Sequence, residues 1–243
     1  MSLAAEYDRW HAHVFDSAPE HHDESSPWYE LVQEYLGPVR GKRILEVACG
    51  RGGFVRLLAS QGAKVVGADF SQVALQIAAG KQANGTADNS AALSQADAQQ
   101  LPFADNSFDA VISCETIEHL AEPAAAVREM ARVCRPSGFL YLTTPNYFNF
   151  MGLYRVYDKL LKRERVNEET QPHDNYWTFS AIRKILRGAG LNVLRTDGTV
   201  HQVPFPGRSP VRLRFLERNA STRRLLGFAA QHYLAVCSKS AQS

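Results

Sequence analysis

Residue types that can do acid–base chemistry cluster just after one apolar run of the sequence. Glu115, Glu118 and His119 follow the run FDAVISC, and on a helical turn they would share one face. Imidazole titrates near neutral pH, so His119 with a neighbouring carboxylate could act as a general base toward a hydroxyl group. The three side chains could instead hold a divalent metal ion, or they could only cap and pack the turn. The sequence leaves all three interpretations open.

A second stretch, Arg43 to Phe54, reads RILEVACGRGGF and predicts a buried parallel strand, a glycine turn and a helix. Gly50 and Gly52 let the backbone approach a ligand, and the first N–H groups of the helix point into the same space. Glu46, near the end of the strand, would repel a pyrophosphate and attract a cationic aminoacyl group. The glycines also fail the G-x-G-x-x-G spacing, which disfavours a nicotinamide enzyme.

The acid Asp69 stands at the carboxyl end of the next predicted strand, Lys64 to Ala68. In doubly wound sheets a carboxylate at this position can accept hydrogen bonds from both ribose hydroxyls. The alternative role is the N-cap of the following helix, which Ser71 fills equally well. Phe70 could pack against a purine ring. We therefore expect Asp69 to bind a ribose.

With these residues in view, Arg43 to Phe54 resembles motif I of the class I S-adenosylmethionine-dependent methyltransferases. The family form is acid-x-Gly-x-Gly-x-Gly, and Ala48 stands here where the first glycine usually does. The run QADAQQLPFADNSFDAVIS is similar to the family's adenine-binding loop, in which Asp97 would accept from the exocyclic amine. The segment HDNYWTFSAIRKILRGAG, residues 173–190, resembles the bacterial small-molecule, ubiquinone-type O-methyltransferase subgroup.

The resemblance implies a binding site for S-adenosylmethionine, which leaves as S-adenosylhomocysteine. Its expected members lie at the ends of the predicted strands, and they are Glu46, Ala48, Cys49, Gly50, Gly52, Asp69, Phe70, Ser71, Asp97, Ala98 and Cys114. The candidate catalytic residues are Glu115, His119 and His173. The E-x-x-E-H pattern also resembles the ubiquinone-type and small-RNA 3′-end methyltransferases, where it holds a divalent ion. His173 would then complete the ligand set, but a metal is not favoured.

The same resemblance implies an α/β fold with a doubly wound, mostly parallel sheet of seven strands. The strand order would be 3-2-1-4-5-7-6, with the last strand antiparallel. Residues 1–39 would form an N-terminal helical cap over the cofactor site, in which residues 1–27 predict a surface helix and a loop. Residues 40–243 would form the methyltransferase domain, with substrate-side insertions at about 146–177 and 201–230.

Composition agrees with a single α/β domain, since 243 residues with 45% hydrophobic content can bury a sizeable core. The formal net charge of +2 gives no basic field, so nucleic acid is not a favoured partner. The four cysteines are widely spaced and lack a C-x-x-C pair, which suits a reducing compartment. With neither an apolar span nor a secretory signal in the sequence, we expect a cytoplasmic protein.

The implied reaction is methyl transfer to a small-molecule, sugar or lipid-linked acceptor, first of all at oxygen. Transfer to nitrogen or carbon is the alternative, and a non-catalytic protein that binds S-adenosylmethionine or S-adenosylhomocysteine is the alternative from another class. Residues 201–230 begin with a proline- and glycine-rich loop. The arginines and apolar residues of 211–228 then predict either a basic amphipathic helix on a membrane surface or two short helices covering the sheet. At most a peripheral membrane contact is expected.

Overall fold

The computed structural model describes residues 3–13, 26–83, 91–147, 149, 175, 177–205 and 208–239. Its nine strands are β1 (Arg43–Val47), β2 (Lys64–Asp69), β3 (Ala92–Gln95), β4 (Phe108–Cys114), β5 (Cys134–Pro145), β6 (Leu191–Thr199), β7 (Gln202–Phe205), β8 (Arg208–Arg212) and β9 (His232–Lys239). Seven of them form one sheet in the order β3-β2-β1-β4-β5-β9-β6. Strands β1 to β5 pair in parallel, whereas β9 runs antiparallel to both its neighbours. The predicted fold and strand order are confirmed, with β9 as the seventh strand of the sheet.

Helices cover both faces of this sheet. They are α1 (Leu3–His13), α2 (Pro27–Leu36), α3 (Gly53–Ser60), α4 (Gln72–Ala83), α5 (Pro123–Val133), α6 (Phe179–Gly188), α7 (Arg214–Glu217) and α8 (Ala220–Leu225). Side chains of β1 alternate between two buried clusters, because successive residues of a strand point to opposite faces. Leu45 and Val47 pack with residues of α5 and α6, whereas Ile44 packs with residues of α2 and α3. Glu46 has the parity of Ile44 and therefore points toward the α3 side.

The segment after β6 differs from the expected proline- and glycine-rich loop. Strands β7 and β8 pair antiparallel through Val203 and Val211, and they form a separate two-stranded ribbon. Both strands of such a ribbon are edges, so the prolines at 204 and 210 can lie where no ladder hydrogen bond is needed.

The arginine-rich stretch 211–228 forms two short helices, α7 and α8, in place of one long amphipathic helix. Asn219 separates them, because its side-chain oxygen accepts from the N–H groups of Ser221 (2.8 Å) and Thr222 (3.2 Å) and so starts α8. In the part of the chain described, no helix is both long and apolar enough to cross a bilayer.

Candidate active site

A cavity of about 340 Å³ opens at the carboxyl ends of β1, β2 and β4. Ligands of open α/β sheets bind at this edge, where the loops that follow neighbouring strands diverge. Helix α1 and the start of α2 form one wall, and the loops after β3 and β4 form the other. The volume lies in the range of roughly 300–1,000 Å³ that small-molecule sites occupy. We call it the first cavity.

Most of the residues predicted to contact a cofactor line the first cavity. They are Ala48, Cys49, Gly50, Asp69, Phe70, Asp97, Ala98 and Cys114. Glu115 and His119, two of the candidate catalytic residues, line it as well. Glu46, Gly52 and Ser71 are not among its lining residues, for reasons given below. His173 lies outside the described residues.

The turn between β1 and α3 is built from left-handed backbone. Ala48, Gly50 and Gly52 have φ angles of 57°, 51° and 70°. This conformation costs an L-residue roughly 1–2 kcal/mol, so Ala48 is strained at the position where the family form has glycine. Gly52 packs toward α4, because a Cβ there would come within 3.1 Å of the Ala78 Cβ. Its role is to let the turn pack on α4, and it does not face the cavity.

Glu46 lies beneath the first cavity and does not line it. Its side chain is 1% exposed, and one carboxylate oxygen, Oε2, has no hydrogen-bond partner in the described part of the chain. Burial raises the pKa of Glu46 well above its usual value, and the Asp69 charge raises it further, while the backbone N–H of Val55 lowers it. Glu46 therefore lies as a buried carboxyl under the cavity floor, and its contact with an aminoacyl group stays a prediction.

Asp69 is held in place by the two turns that flank it. Its Oδ2 accepts from the Gly50 N–H and its Oδ1 accepts from the Ser71 N–H, each at 2.8 Å. Burial raises the pKa of Asp69 to about 6, although these hydrogen bonds act in the opposite direction. A carboxylate has about four acceptor positions, more than these backbone N–H groups use, so Asp69 can still accept from a ligand.

Ser71 joins the N-terminal helix to the site and does not face the cavity itself. The Ser71 hydroxyl donates to Oδ1 of Asp8, in α1, at 2.6 Å. Asp8 Oδ1 also accepts from the Val73 N–H at 3.2 Å. Asp8 thus caps α4 from a distant part of the chain, where the positive end of the helix dipole favours a carboxylate.

Helix α1 is a wall of the cavity, which corrects the expectation of a surface helix. Tyr7 and His11 are buried, and the Tyr7 ring meets the Phe70 ring edge-on at 5.0 Å. The Arg51 guanidinium donates to the His11 carbonyl at 2.5 Å. Tyr7 and His11, in a stretch from which the sequence predicted a surface helix and a loop, therefore help to enclose the cavity.

The side chains of Glu115, Glu118 and His119 diverge and do not share one helical face. Glu115 has a left-handed φ of 51°, so the helical turn begins only with the 3₁₀ segment Ile117–His119. Glu115 points to His232, with 2.8 Å between Oε2 and Nδ1. Glu118 points inward, where its Oε2 accepts from the Thr144 hydroxyl at 3.0 Å.

Glu118 and His119 form a close pair across the cavity wall. The Glu118 side chain is 1% exposed, and its Oε1 lies 3.5 Å from Nε2 of His119. Burial and then the Glu115 charge raise the pKa of Glu118 to about 8, while His119 lowers it. Burial therefore favours the protonated form of Glu118, whereas a positive charge on His119 would favour its carboxylate form.

His232 is a site residue that sequence analysis missed. It begins β9, pairs with Pro145 of β5, and its ring lies 4.8 Å from the Trp28 ring. Since β9 is antiparallel, its first residue reaches the edge where β4 and β5 end. The resemblance already implied an antiparallel last strand, and His232 was missed because it is the first residue of that strand, just before the apolar run that marks it in the sequence.

Among the described residues, no three histidine, cysteine, aspartate or glutamate side chains come together as a metal site. Glu115 faces His232 and Glu118 faces Thr144, so two of the proposed ligands point in different directions.

The known proteins that this chain resembles in sequence are methyltransferases. Residues 45–142, from β1 into β5, match the family model described as a methyltransferase domain. A demethylmenaquinone methyltransferase of Renibacterium salmoninarum is 38% identical over 136 residues, which are 56% of this chain and 55% of that protein. A ubiquinone biosynthesis O-methyltransferase of Alkalilimnicola ehrlichii is 36% identical over 126 residues, 51% and 50% of the two chains. Residues 45–142, which are less than half of the chain, therefore resemble a methyltransferase domain.

The chain spans about half the length of the curated relatives that it matches. Similarity in structure extends further. A putative methyltransferase of Haloferax volcanii, solved with the methyltransferase activator Trm112, superposes with a TM-score of 0.69 at 20% identity. That match covers 100% of this chain and 99% of the other, so the two proteins share the fold that the described residues form.

Proposed function

We propose that this protein transfers a methyl group from S-adenosylmethionine to a small-molecule acceptor, most readily at oxygen. The observation that carries the proposal is Asp69, fixed by two backbone N–H groups at the edge of the first cavity with acceptor positions left over. The methyltransferase family match and the fold support the same activity.

The residues present fit the cofactor. Asp69 would accept hydrogen bonds from the ribose hydroxyls, Phe70 would pack on the adenine, and Asp97 would accept from its exocyclic amine. Glu115 on the wall would supply negative potential for a cationic ligand, and a bound cation would favour the carboxylate form of Glu46 beneath the floor. When bound, the sulfonium supplies a methyl group already activated for transfer.

His119 is the residue we propose as the general base. It lines the first cavity, and Glu118 lies directly behind its ring. A proton taken from an acceptor hydroxyl would make His119 an imidazolium, and this charge would lower the pKa of Glu118 and favour its carboxylate form. Alignment of the acceptor with the methyl group would supply much of the rest, on the order of 7–11 kcal/mol in favourable cases.

We base the proposed class of acceptor on the two quinone-related relatives. Both act on small molecules by name, and one of the two is an O-methyltransferase. We propose a hydroxyl-bearing small molecule, free or lipid- or sugar-linked, with nitrogen or carbon as the alternative methylated atom. No basic field in the composition favours nucleic acid.

A peripheral contact with a membrane surface is also proposed. Phe215, Leu225 and Phe228 are 64%, 75% and 72% exposed. Arg214 and Arg218 are exposed on the same segment. Apolar tips interleaved with cations are suited to an anionic lipid surface.

Calorimetric titration with S-adenosylmethionine and with S-adenosylhomocysteine tests the proposal first. Binding of both, together with transfer of a labelled methyl group to a member of an acceptor panel, is the expected result. Binding of neither would reject the enzyme, and binding of NADH instead would point to an oxidoreductase. Binding without transfer to any acceptor would favour the non-catalytic alternative.

Elemental analysis and the methyl-transfer assay with EDTA test the metal interpretation of Glu115, Glu118, His119 and His173. We expect elemental analysis to find no stoichiometric metal and EDTA to leave turnover unchanged. Loss of turnover with EDTA, restored by a divalent ion, would replace the general-base proposal with a metal site.

A further inference from the structure

Acidic residues line the first cavity at three places along the sheet edge. Asp97 follows β3, Asp69 ends β2 and Glu115 follows β4, and these strands lie in the order β3-β2-β1-β4. Neighbouring strands are about 4.8 Å apart, so Glu115 lies two strand spacings, roughly 10 Å, beyond Asp69 along the edge. The three acids therefore follow one another across the cavity in the order Asp97, Asp69, Glu115.

The order of these acids matches the order of groups in the proposed methyl donor. Asp97 is proposed to accept from the adenine and Asp69 from the ribose. In S-adenosylmethionine the adenine and the sulfur are attached to opposite ends of the ribose. A donor whose adenine lies toward β3 therefore carries its sulfur toward β4, where Glu115 lines the cavity.

The Glu115 side chain is fixed from two sides. Its φ of 51° is unfavourable for an L-residue, and its N–H donates to the Thr143 carbonyl at 3.1 Å. Its Oε2 lies 2.8 Å from Nδ1 of His232, and Nδ1 is the donor when Glu115 is ionised, because a carboxylate only accepts. Residues in strained backbone persist where surrounding contacts hold them, and they cluster at functional sites.

The other oxygen of Glu115 is available to a ligand. Oε1 is buried and has no hydrogen-bond partner among the described residues, although Glu115 lines the cavity. A hydrogen bond to Oε2 favours the charged form of a carboxylate, and a nearby cation favours it further. Glu46 is less suited to this role, because burial raises its pKa well above the usual value and favours the neutral form.

A second cavity, of about 330 Å³, lies on the other half of the sheet edge, at the ends of β5, β6 and β9. None of its lining residues lines the first cavity. Asp197 is its one carboxylate among the described residues, and it accepts from Tyr35 Oη (2.7 Å) and Arg223 Nε (3.0 Å). Asp197 is thus already compensated by a guanidinium, whereas the side chain paired with Glu115 is a histidine.

We infer that Glu115 faces the sulfonium of S-adenosylmethionine, and that His232 is a positioning residue that orients Glu115 toward it. This deepens the proposed function and rests on it, because the donor must bind in the first cavity. A carboxylate at this place attracts the positive sulfonium and has no such attraction for the neutral thioether of S-adenosylhomocysteine. The pair therefore favours the donor over the product of the reaction.

Calorimetric titration of the whole chain with both compounds at neutral pH tests the inference through the ratio of the two dissociation constants. The variant Glu115→Gln keeps the shape of the side chain and removes its charge. It should weaken S-adenosylmethionine binding at least about fivefold more than S-adenosylhomocysteine binding, since a pair of charges at the surface already reaches about fivefold. An unchanged ratio would overturn the inference, because Glu115 would then face a group that both compounds share, or neither compound.

Asp97→Asn is the matched control for the loss of a charge. Asp97 lines the same cavity at the proposed adenine end, and both compounds carry the same adenosine. This variant should weaken the two compounds about equally. A change in the ratio as large as that of Glu115→Gln would show a general effect of charge in the cavity and would overturn the inference.

Two variants of His232 test its positioning role. His232→Leu removes the donor and should lower the preference for S-adenosylmethionine roughly threefold, the effect of one hydrogen bond. His232→Asn places an amide N–H near the position of Nδ1 and should restore most of this preference. An unchanged ratio in His232→Leu, or an equal loss in both variants, would reject the positioning role and leave only packing against Trp28.

These titrations separate the inference from the proposed function. A thermal unfolding curve checks that each variant is folded. If the native protein binds neither compound, the methyltransferase proposal and the inference both fail. If it binds both compounds and Glu115→Gln leaves their ratio unchanged, only the inference fails.

Discussion

Acidic side chains in the two halves of the sheet edge differ in whether they have a cationic partner. Around the first cavity, no described cationic side chain other than His119 is paired with Asp69 or Glu118, and burial raises their pKa values to about 6 and about 8. Around the second, Asp197 is bonded to Arg223, and Glu217 is bonded to Arg212 at 2.6 Å. For Glu217, hydrogen bonds from His201 and Arg212 outweigh burial and lower the pKa to about 2.

This difference separates a binding region from a structural one. Acids without a permanent cationic partner destabilise the fold but attract a positively charged ligand. Ion pairs such as Asp197 with Arg223 hold β6, α2 and α8 together, because Arg223 also reaches Glu34 at 2.5 Å. Four changes, from the largest expected effect to the smallest, test the comparison.

Replacing His119 with Ala should lower turnover by about 10²-fold or more, since a positioned general base contributes on the order of 10²–10⁴. Affinity for S-adenosylhomocysteine should change less than about twofold. Steady-state kinetics with an accepted substrate and a calorimetric titration measure the two effects. His201→Gln is the control on the other half, where the ring is 3.2 Å from the Leu226 carbonyl, and it should cost stability without a comparable loss of turnover. Equal turnover of His119→Ala and the native enzyme would leave only a structural role for this residue.

Replacing Asp69 with Ala should weaken S-adenosylhomocysteine binding at least about tenfold, because the ribose acceptor and the anchor of the Gly50 turn are both lost. The matched control is Asp109→Ala at the opposite end of the strands. Asp109 also accepts a backbone N–H, from Arg43 at 2.7 Å, but does not line the cavity. An unchanged dissociation constant for Asp69→Ala would count against the ribose assignment.

Glu118→Gln and Glu217→Gln should shift stability in opposite directions with pH. The folded pKa of Glu118 lies above its unfolded value of 4.5, so the folded state holds a proton and loses stability as pH rises from about 4.5 to 8. Glu118→Gln should therefore stabilise the protein at pH 8, on the order of 1–2 kcal/mol, with little effect at pH 4. Glu217, with its lowered pKa, contributes stability above pH 4.5 that is lost toward pH 2, so Glu217→Gln should destabilise at neutral pH by about 1 kcal/mol. Thermal unfolding between pH 2 and 8 measures both, and parallel pH profiles would contradict the comparison.

Ala48→Gly should have the smallest effect. Glycine removes left-handed strain of roughly 1–2 kcal/mol but adds about 0.4–1 kcal/mol of unfolded-chain entropy, so the net gain should be below about 1.5 kcal/mol. Denaturant unfolding measures it, with Ala83→Gly at the end of α4 as a control that should only destabilise. A loss of stability on Ala48→Gly would show that the Ala48 methyl group packs usefully.

Much of the first cavity could be predicted from sequence because its parts are local. The strand, the left-handed turn and the helix of residues 43–60 follow from residue types within one short stretch, and Asp69 follows one strand later. The glycine at 52 was likewise predictable as a turn residue. Its lack of contact with the cavity was not, since that depends on Ala78 of a later helix.

The sequence by itself, through the family that it resembles, predicted the class of fold, the strand order and several of the loop residues that line the first cavity. Only the tertiary structure placed His232 against Glu115 and Asp8 against Ser71, because those partners lie 117 and 63 residues apart in the chain. It also buried Glu118 against Thr144 and opened the second cavity beside it. Local spacing predicts a turn, but contacts between distant segments depend on how β9 inserts beside β5 and how α1 packs on α4, and these are decided by the packing of the whole core.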